Sequence, residues 1–493
     1  MVRLIPVLFF IMCVTVSAES KQPNPENMVV SSELHPESSI WFTQPPDQSE
    51  IRFKLTAFNT LPQSEAAVPD STTRFVIYPD KRHQSILGIG TSLEETSVYA
   101  MLKNKTPAQT RAILRALIDP KHGIGMTLFR VCIGTSDFSD GRAVSSHAQG
   151  FYTYQSRPED AFSIQNDIDL GIVSVLRMAL EVAEDCGQEI RFFASAWSPP
   201  AWMKSSEALI GGTLKKGLER QLAHYFRKFI EAYVAQGIPI HAITMQNEAN
   251  YLPDTYPGMK LTWQQERDLV IATFEAFQRT PKIDTRLWII DHNFEYWKKA
   301  DRILQSLEEL EKKHYVDAAA FHDYSDAPPA NMLKLKQRHP QIGLQFSEMS
   351  KFGVSGMADI QSYFFNGAQS YVYWVTMSTQ TPEEHNQGPW NTISNLSPTM
   401  LMQLNGNTPQ WIINSDYYLL GQFSRFIRPG AVRLECPFGD ASSLTAVAFR
   451  NPDGGMAVVL VNQTAQAQPF HITVGQISCT GTVPDKCVAT VTW

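Results

Sequence analysis

Between residues 86 and 375 one theme recurs: a short apolar run, a loop, then an amphipathic stretch. The apolar runs are ILGIG (86–90), MTLFRVCIG (126–134), IRFFASAW (190–197), IHAITMQNE (240–248), RLWIIDHN (286–293), AAAFHDY (318–324), IGLQFSEM (342–349) and SYVYWV (370–375). Between them lie segments such as PAQTRAILRALI and LERQLAHYFRKFIEAYVAQG. Their apolar residues recur at three and four, the period of a helix with one buried face. Strands alternating with helices pair in parallel, because each helix carries the chain back across the sheet. Eight such units predict an α/β fold, a (β/α)8 TIM barrel. A doubly wound sheet could also use eight strands, but its site would sit at one switch point, commonly beside a Gly-rich phosphate loop. GIGTSLEE, after the first strand, is a poor match to such a loop.

Most of these strands begin apolar and end on something reactive or aromatic: Arg130, Trp197, Asn247-Glu248, Asp291-His292-Asn293, His322-Asp323-Tyr324, Glu348 and Trp374. Barrel enzymes assemble their sites from the C-terminal ends of several strands, so this pattern favours the barrel. Long connections after strands two (134–168), three (198–216) and eight (376–412) fall on the same side.

The flanks differ. Residues 28–80 and 426–493 carry short alternating runs such as SIWFTQ, RFVIYP, LTAVAFR and MAVVLVNQ, separated by turn signals such as NPDGG. They predict a β-sandwich built from both chain termini, attached to a catalytic barrel over 84–425. Residues 1–18 have Arg3, an apolar stretch and Val16-Ser17-Ala18, the pattern of a secretory leader. The expected location is therefore outside the cell or in a periplasm, or a lysosome if the source is eukaryotic. No later run reaches the ~20 apolar residues of a membrane-spanning helix. With 42 basic and 49 acidic residues, a net charge of −7 argues against nucleic acid as a partner. Cys479 and Cys487 flank a turn-like TGTVPDK and are a candidate disulfide in an oxidising compartment.

Glu248 closes strand four and Glu348 closes strand seven, across the barrel mouth. A carboxyl pair facing across a cleft is what glycoside hydrolysis requires: one protonates the leaving oxygen while the other attacks or activates water. Asn247 is placed to bind a sugar 2-hydroxyl. Glu248 as the acid needs a raised pKa, and Arg130 and Tyr324 are the candidates for keeping Glu348 ionised.

The chain resembles the glucosylceramidase-like enzymes of glycoside hydrolase family 30. The motifs that carry the resemblance are LFRVCIGTSDFS (128–139), FFASAWSPPAWMKSS (192–206), ITMQNEAN (243–250), FHDY (321–324), FSEM (346–349) and LLGQFSRFIRPGAVRL (419–434). The resemblance implies a barrel with an attached sandwich and a retaining mechanism, with Glu248 as acid/base and Glu348 as nucleophile. It also implies that Asp137, Trp197, Asn247 and Tyr324 surround the sugar, and that Trp374 is a wall tryptophan. His322 and Trp390 are further candidates for the same wall. One departure stands out: glucosylceramidases carry a second tryptophan where this chain has Met377.

The expected activity is a retaining β-glycosidase, first of glucosylceramidase type, with an endo-acting β-1,6-glucanase or xylanase as the alternative. The expected partner is a β-glycoside, glycolipid or oligosaccharide, and no cofactor is expected. Two other classes compete. His and Asp at several strand ends suit a metal-dependent hydrolase, although strand one lacks the His pair that would begin such a site. A sugar-binding protein without turnover would use the same aromatics, but has no need of both glutamates.

Overall fold

The computed structural model describes residues 39–43, 56–59, 70–140, 150–379, 399–403, 408–475 and 477–493. The leader and Trp390 lie outside these residues. Eight parallel strands form the central sheet: β1 (Gly88–Ser92), β2 (Leu128–Cys132), β3 (Arg191–Ser195), β4 (Ile240–Thr244), β5 (Arg286–Asn293), β6 (Ala318–His322), β7 (Gly343–Glu348) and β8 (Ser370–Tyr373). From β1 to β7 each strand pairs with the next in sequence, and β8 pairs with β1. The seam between β7 and β8 is closed by Gln369 N donating to Leu344 O (2.7 Å) and by the Ser370 hydroxyl accepting from Phe346 N (3.1 Å). The expected TIM barrel is what forms.

Local chemistry sets the ends of the helices. The helix Pro107–Ile118 opens with Pro at its first turn and a reciprocal Thr106–Gln109 capping box, and Thr262–Gln265 repeats the box for Trp263–Phe277. Glu94 caps Glu95–Leu102 by accepting from Ser97 N at 2.9 Å. The helix Glu219–Ala235 stops at Gly237, whose φ of 79° is left-handed; Gly237 N and Ile238 N reach back to Val234 O and Tyr233 O. This double bond pattern satisfies carbonyls the helix leaves open. In β1, a Cβ on Gly90 would fall 1.6 Å from Leu128 O, so only glycine lets β1 and β2 meet there.

Side chains fill the barrel in layers. Leu128, Phe193, Ala242, Trp288, Ala318, Ala320 and Val372 form an apolar layer, and the small alanines make room for the Trp288 ring. The intervening residues Phe129, Val131, Phe192, Ile243 and Ala319 face the helices instead. This is the period of two that a strand imposes.

The flanking strands assemble around one long strand, Thr73–Ser85. Its first half pairs in parallel with Gln468–Val474 and its second half pairs antiparallel with Val432–Glu435, so it belongs to two sheets. The N-terminal strand Ser39–Thr43 lies between Thr56–Asn59 and Cys487–Thr492. In Met456–Asn462, Val458 and Leu460 face the sandwich core while Ala457, Val459 and Val461 join the barrel's core. That sheet is therefore buried on both faces and holds the sandwich against the barrel.

The candidate disulfide does not form. Cys479 pairs opposite Ile472 and Cys487 opposite Asn462, on different strand pairs, and both are buried free thiols. The turn between them joins two strands that do not pair with each other, so the short sequence spacing misleads.

Candidate active site

Two residues up from the apolar layer, the barrel interior turns polar. Arg130 follows Leu128 by two on β2, Ser195 follows Phe193 on β3, and Thr244 follows Ala242 on β4. All are buried. Alternation alone carries each from the apolar layer to the next.

Asp291 reaches this layer by a different route. The β5–β6 ladder skips from Ile290↔Ala320 to His292↔Phe321, and both Ile290 and Asp291 have positive φ (77° and 48°). Positive φ at a β-branched residue is rare and strained. The bulge lets Ile289 and Ile290 both face the outer core, and Asp291 then turns inward. The amide it frees, Ile290 N, donates to buried Glu266 Oε1 at 2.6 Å, and Lys299 neutralises Glu266 at 2.7 Å.

Asp291 is the hub. Its Oδ2 accepts from Arg130 Nη2 (2.9 Å), Ser195 Oγ (2.8 Å) and Thr244 Oγ1 (2.7 Å). Its Oδ1 meets His322 Nε2 (3.0 Å) and accepts from Ser347 Oγ (2.6 Å). Burial raises this carboxyl, but Arg130, then His322 and Ser347, outweigh burial and hold it far below the usual range.

Arg130, wholly buried, donates to Glu348 Oε2 through Nη1, and to Asn247 Oδ1 (2.8 Å) and Asp291 through Nη2. Its guanidinium lies against the rings of Trp197 (4.8 Å) and Trp374 (5.3 Å), which stack on each other at 5.1 Å. Burial works against the guanidinium's charge, and Asp291 and Glu348 more than restore it. The bond from Arg130 fixes the Asn247 amide and leaves its N–H groups for another acceptor.

Glu248 follows β4 with φ of 48°, another left-handed non-glycine residue. Its N–H is held by Asp291 O at 2.9 Å. Its Oε1 lies 3.1 Å from His322 Nδ1, and Glu348 Oε1 lies 3.8 Å from the same nitrogen. Those oxygens are therefore no more than about 7 Å apart, which admits the roughly 5–5.5 Å of a retaining pair. Tyr324 donates to Glu348 Oε1 at 2.9 Å, while its ring, 49% exposed, stands at the mouth. Asn293 Oδ1 holds the Tyr324 backbone N–H at 2.8 Å.

Opposite charges are interlinked within the cluster. Burial lowers His322, but Glu348 and then bonds to Asp291 and Glu248 raise it to about 9, so the ring is an imidazolium at neutral pH. Two cations, Arg130 and His322, face two anions, Asp291 and Glu348. Burial pushes the Glu348 carboxyl up; His322 and Arg130 pull it down, and Glu248 and Asp291 push it further up. The net shift is upward, against the expectation that Arg130 and Tyr324 would keep it low. The reason is burial beside two further carboxylates. Asp137, in the loop after β2, is pushed well up by burial, then Glu348 and Glu248.

Every expected site residue within the described chain comes to this mouth. Trp197 and Trp374 pack with Phe138 and Val375 as an apolar cluster, flanked by Tyr256. Met377 does not take the place of a wall tryptophan: its side chain joins the outer core. Glu248, His292 and His322 offer ligand atoms within 4.8 Å of one another, the grouping a metal could use. The residues the sequence reading does not place in the site are Ser195, Thr244, Ser347 and Tyr256, and it names Asp291 only as a strand-end residue and a metal candidate. Ser195 and Thr244 were findable by counting two residues beyond an inward apolar position.

Residues 86–427 match the glycosyl hydrolase family 30 TIM-barrel domain, and 430–491 match that family's β-sandwich domain. The chain belongs to glycosyl hydrolase family 30. It is therefore a glycoside hydrolase, and its substrate is a glycan. It is 27% identical over 431 residues to an endo-1,6-β-D-glucanase of Neurospora crassa, covering 83% of this chain and 86% of the relative. It is 25% identical over 445 residues to the lysosomal acid glucosylceramidase of Mus musculus, covering 85% and 82%. A solved endo-β-1,6-glucanase superposes with a TM-score of 0.78 at 25% identity, covering 92% of this chain and 99% of that one. Among the described residues no helix is long and apolar enough to cross a membrane.

Proposed function

We propose that this family 30 enzyme is a retaining endo-β-1,6-glucanase. The observation that carries the mechanism is the meeting of Glu248 and Glu348 at one His322 nitrogen. Glu348 Oε attacks the anomeric carbon as the bond to the glycosidic oxygen breaks, and Glu248 gives that oxygen its proton. Water then attacks the anomeric carbon of the glycosyl-enzyme, Glu248 takes the water's proton, and the Glu348 ester bond breaks. Arg130 and Tyr324 orient the nucleophile, and the Asn247 amide donates to the sugar 2-hydroxyl, a bond that strengthens as positive charge develops.

Support for the substrate comes from the relatives. Names of endo-1,6-β-glucanases accompany similarity over most of the chain. Met377 buried in the outer core, where glucosylceramidases are expected to have a wall tryptophan, also favours a polymer over ceramide glucoside. The endo reading thus displaces the glucosylceramidase reading as the better supported one. An exported enzyme, which the leader suggests, would meet such a polymer outside the cytoplasm.

The test is product analysis on a panel of linear β-1,6-glucan, β-1,4-xylan and glucosylceramide. The expected result is a ladder of β-1,6-linked oligomers from the glucan at early times. Glucose alone from the glucan, or faster turnover of glucosylceramide, contradicts the proposal.

A further inference from the structure

His292 stands at the mouth and has no part in the mechanism. It is 4% exposed, and among the described residues neither ring nitrogen has a hydrogen-bond partner. Buried polar atoms in native folds usually have a partner, whether protein, water or a bound ion. The ring is held against Tyr296, with centroids 4.4 Å apart, and is set by the same β5 bulge that turns Asp291 inward. Its Nδ1 points at the acid/base position, 3.6 Å from Glu248 Oε1.

We propose that Glu248 Oε1, His292 Nδ1 and His322 Nδ1 form a His2Glu site for a zinc-like divalent cation, whose occupancy blocks turnover. In a tetrahedral site with bonds of about 2.0–2.2 Å, neighbouring ligand atoms lie roughly 3.3–3.6 Å apart. Here the Glu248–His322 edge is 3.1 Å and the Glu248–His292 edge is 3.6 Å, and one ligand atom from each of the three residues lies within 4.8 Å of the others. His322 also has the outer partner that metal-binding imidazoles use: its Nε2 lies 3.0 Å from Asp291 Oδ1, which orients the ring and strengthens it as a donor. Two imidazoles and one carboxylate suit zinc or copper(II), whereas magnesium and calcium prefer oxygen ligands. Binding displaces the proton on His322 Nδ1 and occupies the Glu248 oxygen that would hand a proton to the leaving group.

The site itself stands independently of the proposed mechanism; the loss of turnover rests on Glu248 as acid/base. The experiment uses the full chain, stripped of metal by dialysis against a chelator. Zinc chloride binding is followed by calorimetry, cobalt(II) binding by its visible absorption, and activity is read on an activated aryl β-glucoside and on β-1,6-glucan. The expected result is about one equivalent of zinc bound, loss of glucan hydrolysis over the same concentration range, recovery on adding chelator, and no effect of magnesium. His292→Ala should weaken zinc binding at least ~10-fold, with inhibition of its own metal-free rate shifting in parallel. If that variant does not fold, the near-isosteric Glu248→Gln should show the same loss of binding. Wild-type protein that binds no zinc, or variants that bind it as tightly as wild type, would overturn the site. Tight binding with undiminished glucan hydrolysis would overturn the block, and with it the role given to Glu248.

Discussion

Two adjacent layers inside one barrel make opposite use of the same strand geometry. The lower layer, around Trp288 and Phe193, is apolar and holds the strands by packing. The layer two residues further along buries Arg130, Asp291 and His322, which with Glu348 form one linked set of opposite charges. A packing layer tolerates volume-conserving change, because dispersion and burial are spread over many contacts. A buried charge set does not, because removing one member leaves its partners unpaired in a low-dielectric interior. Substitutions below should therefore change stability alone, and substitutions above should change stability, pH dependence and turnover together.

The largest expected effect is from Glu348→Gln, which keeps the shape and removes the attacking anion: hydrolysis of β-1,6-glucan should fall to background. Arg130→Met tests the charge set. It should cost about 3–5 kcal/mol in urea unfolding and also remove most activity, whereas an isolated surface arginine would change stability by under ~1 kcal/mol. Glu248→Gln should lower kcat/KM for substrates with poor leaving groups by roughly 100- to 10,000-fold and barely lower it for those with very good ones, whose glycosyl-enzyme then accumulates because its hydrolysis also needs Glu248. Equal losses on both would remove Glu248 from the proton-transfer role.

His322 gives a pH signature the apolar layer lacks. Its folded pKa of about 9 lies above the ~6.5 of an unfolded chain. The stability it lends is complete below the unfolded value and drains away as pH rises through the folded one. The urea midpoint should thus fall between pH 7 and about 9.5 in the wild type, and the slope should flatten in His322→Gln. At the small end, Trp288→Phe should cost about 1–3 kcal/mol and leave kcat/KM per folded molecule unchanged within about twofold. A changed pH–rate profile in that variant would break the separation between the layers.

Much of this was legible beforehand, for a physical reason. Eight apolar runs with helical segments between them leave few topologies, and strand-end residues such as Glu248, Glu348 and Tyr324 reveal a site by their place in the period. Asp291 was not legible as the hub. Simple alternation would send it outward, and only the left-handed pair Ile290-Asp291 reverses it. A bulge depends on what the neighbouring strand offers, in this case the Glu266 carboxylate waiting for Ile290 N. The upward shift of Glu348 escaped for a related reason: it depends on how many carboxylates share one buried space. The Cys479–Cys487 pairing failed because proximity in sequence says nothing about which strands pair.

The central claim is that Glu348 bonds to the sugar while Glu248 moves the proton. Its most direct test is to incubate the enzyme with an activated 2-deoxy-2-fluoro β-1,6-linked glucosyl disaccharide, digest it, and locate the added mass by peptide sequencing. The account predicts one stoichiometric adduct, on Glu348 within FSEM. An adduct on Glu248, or slow turnover with no covalent species under conditions that trap retaining glycosidases, would contradict it.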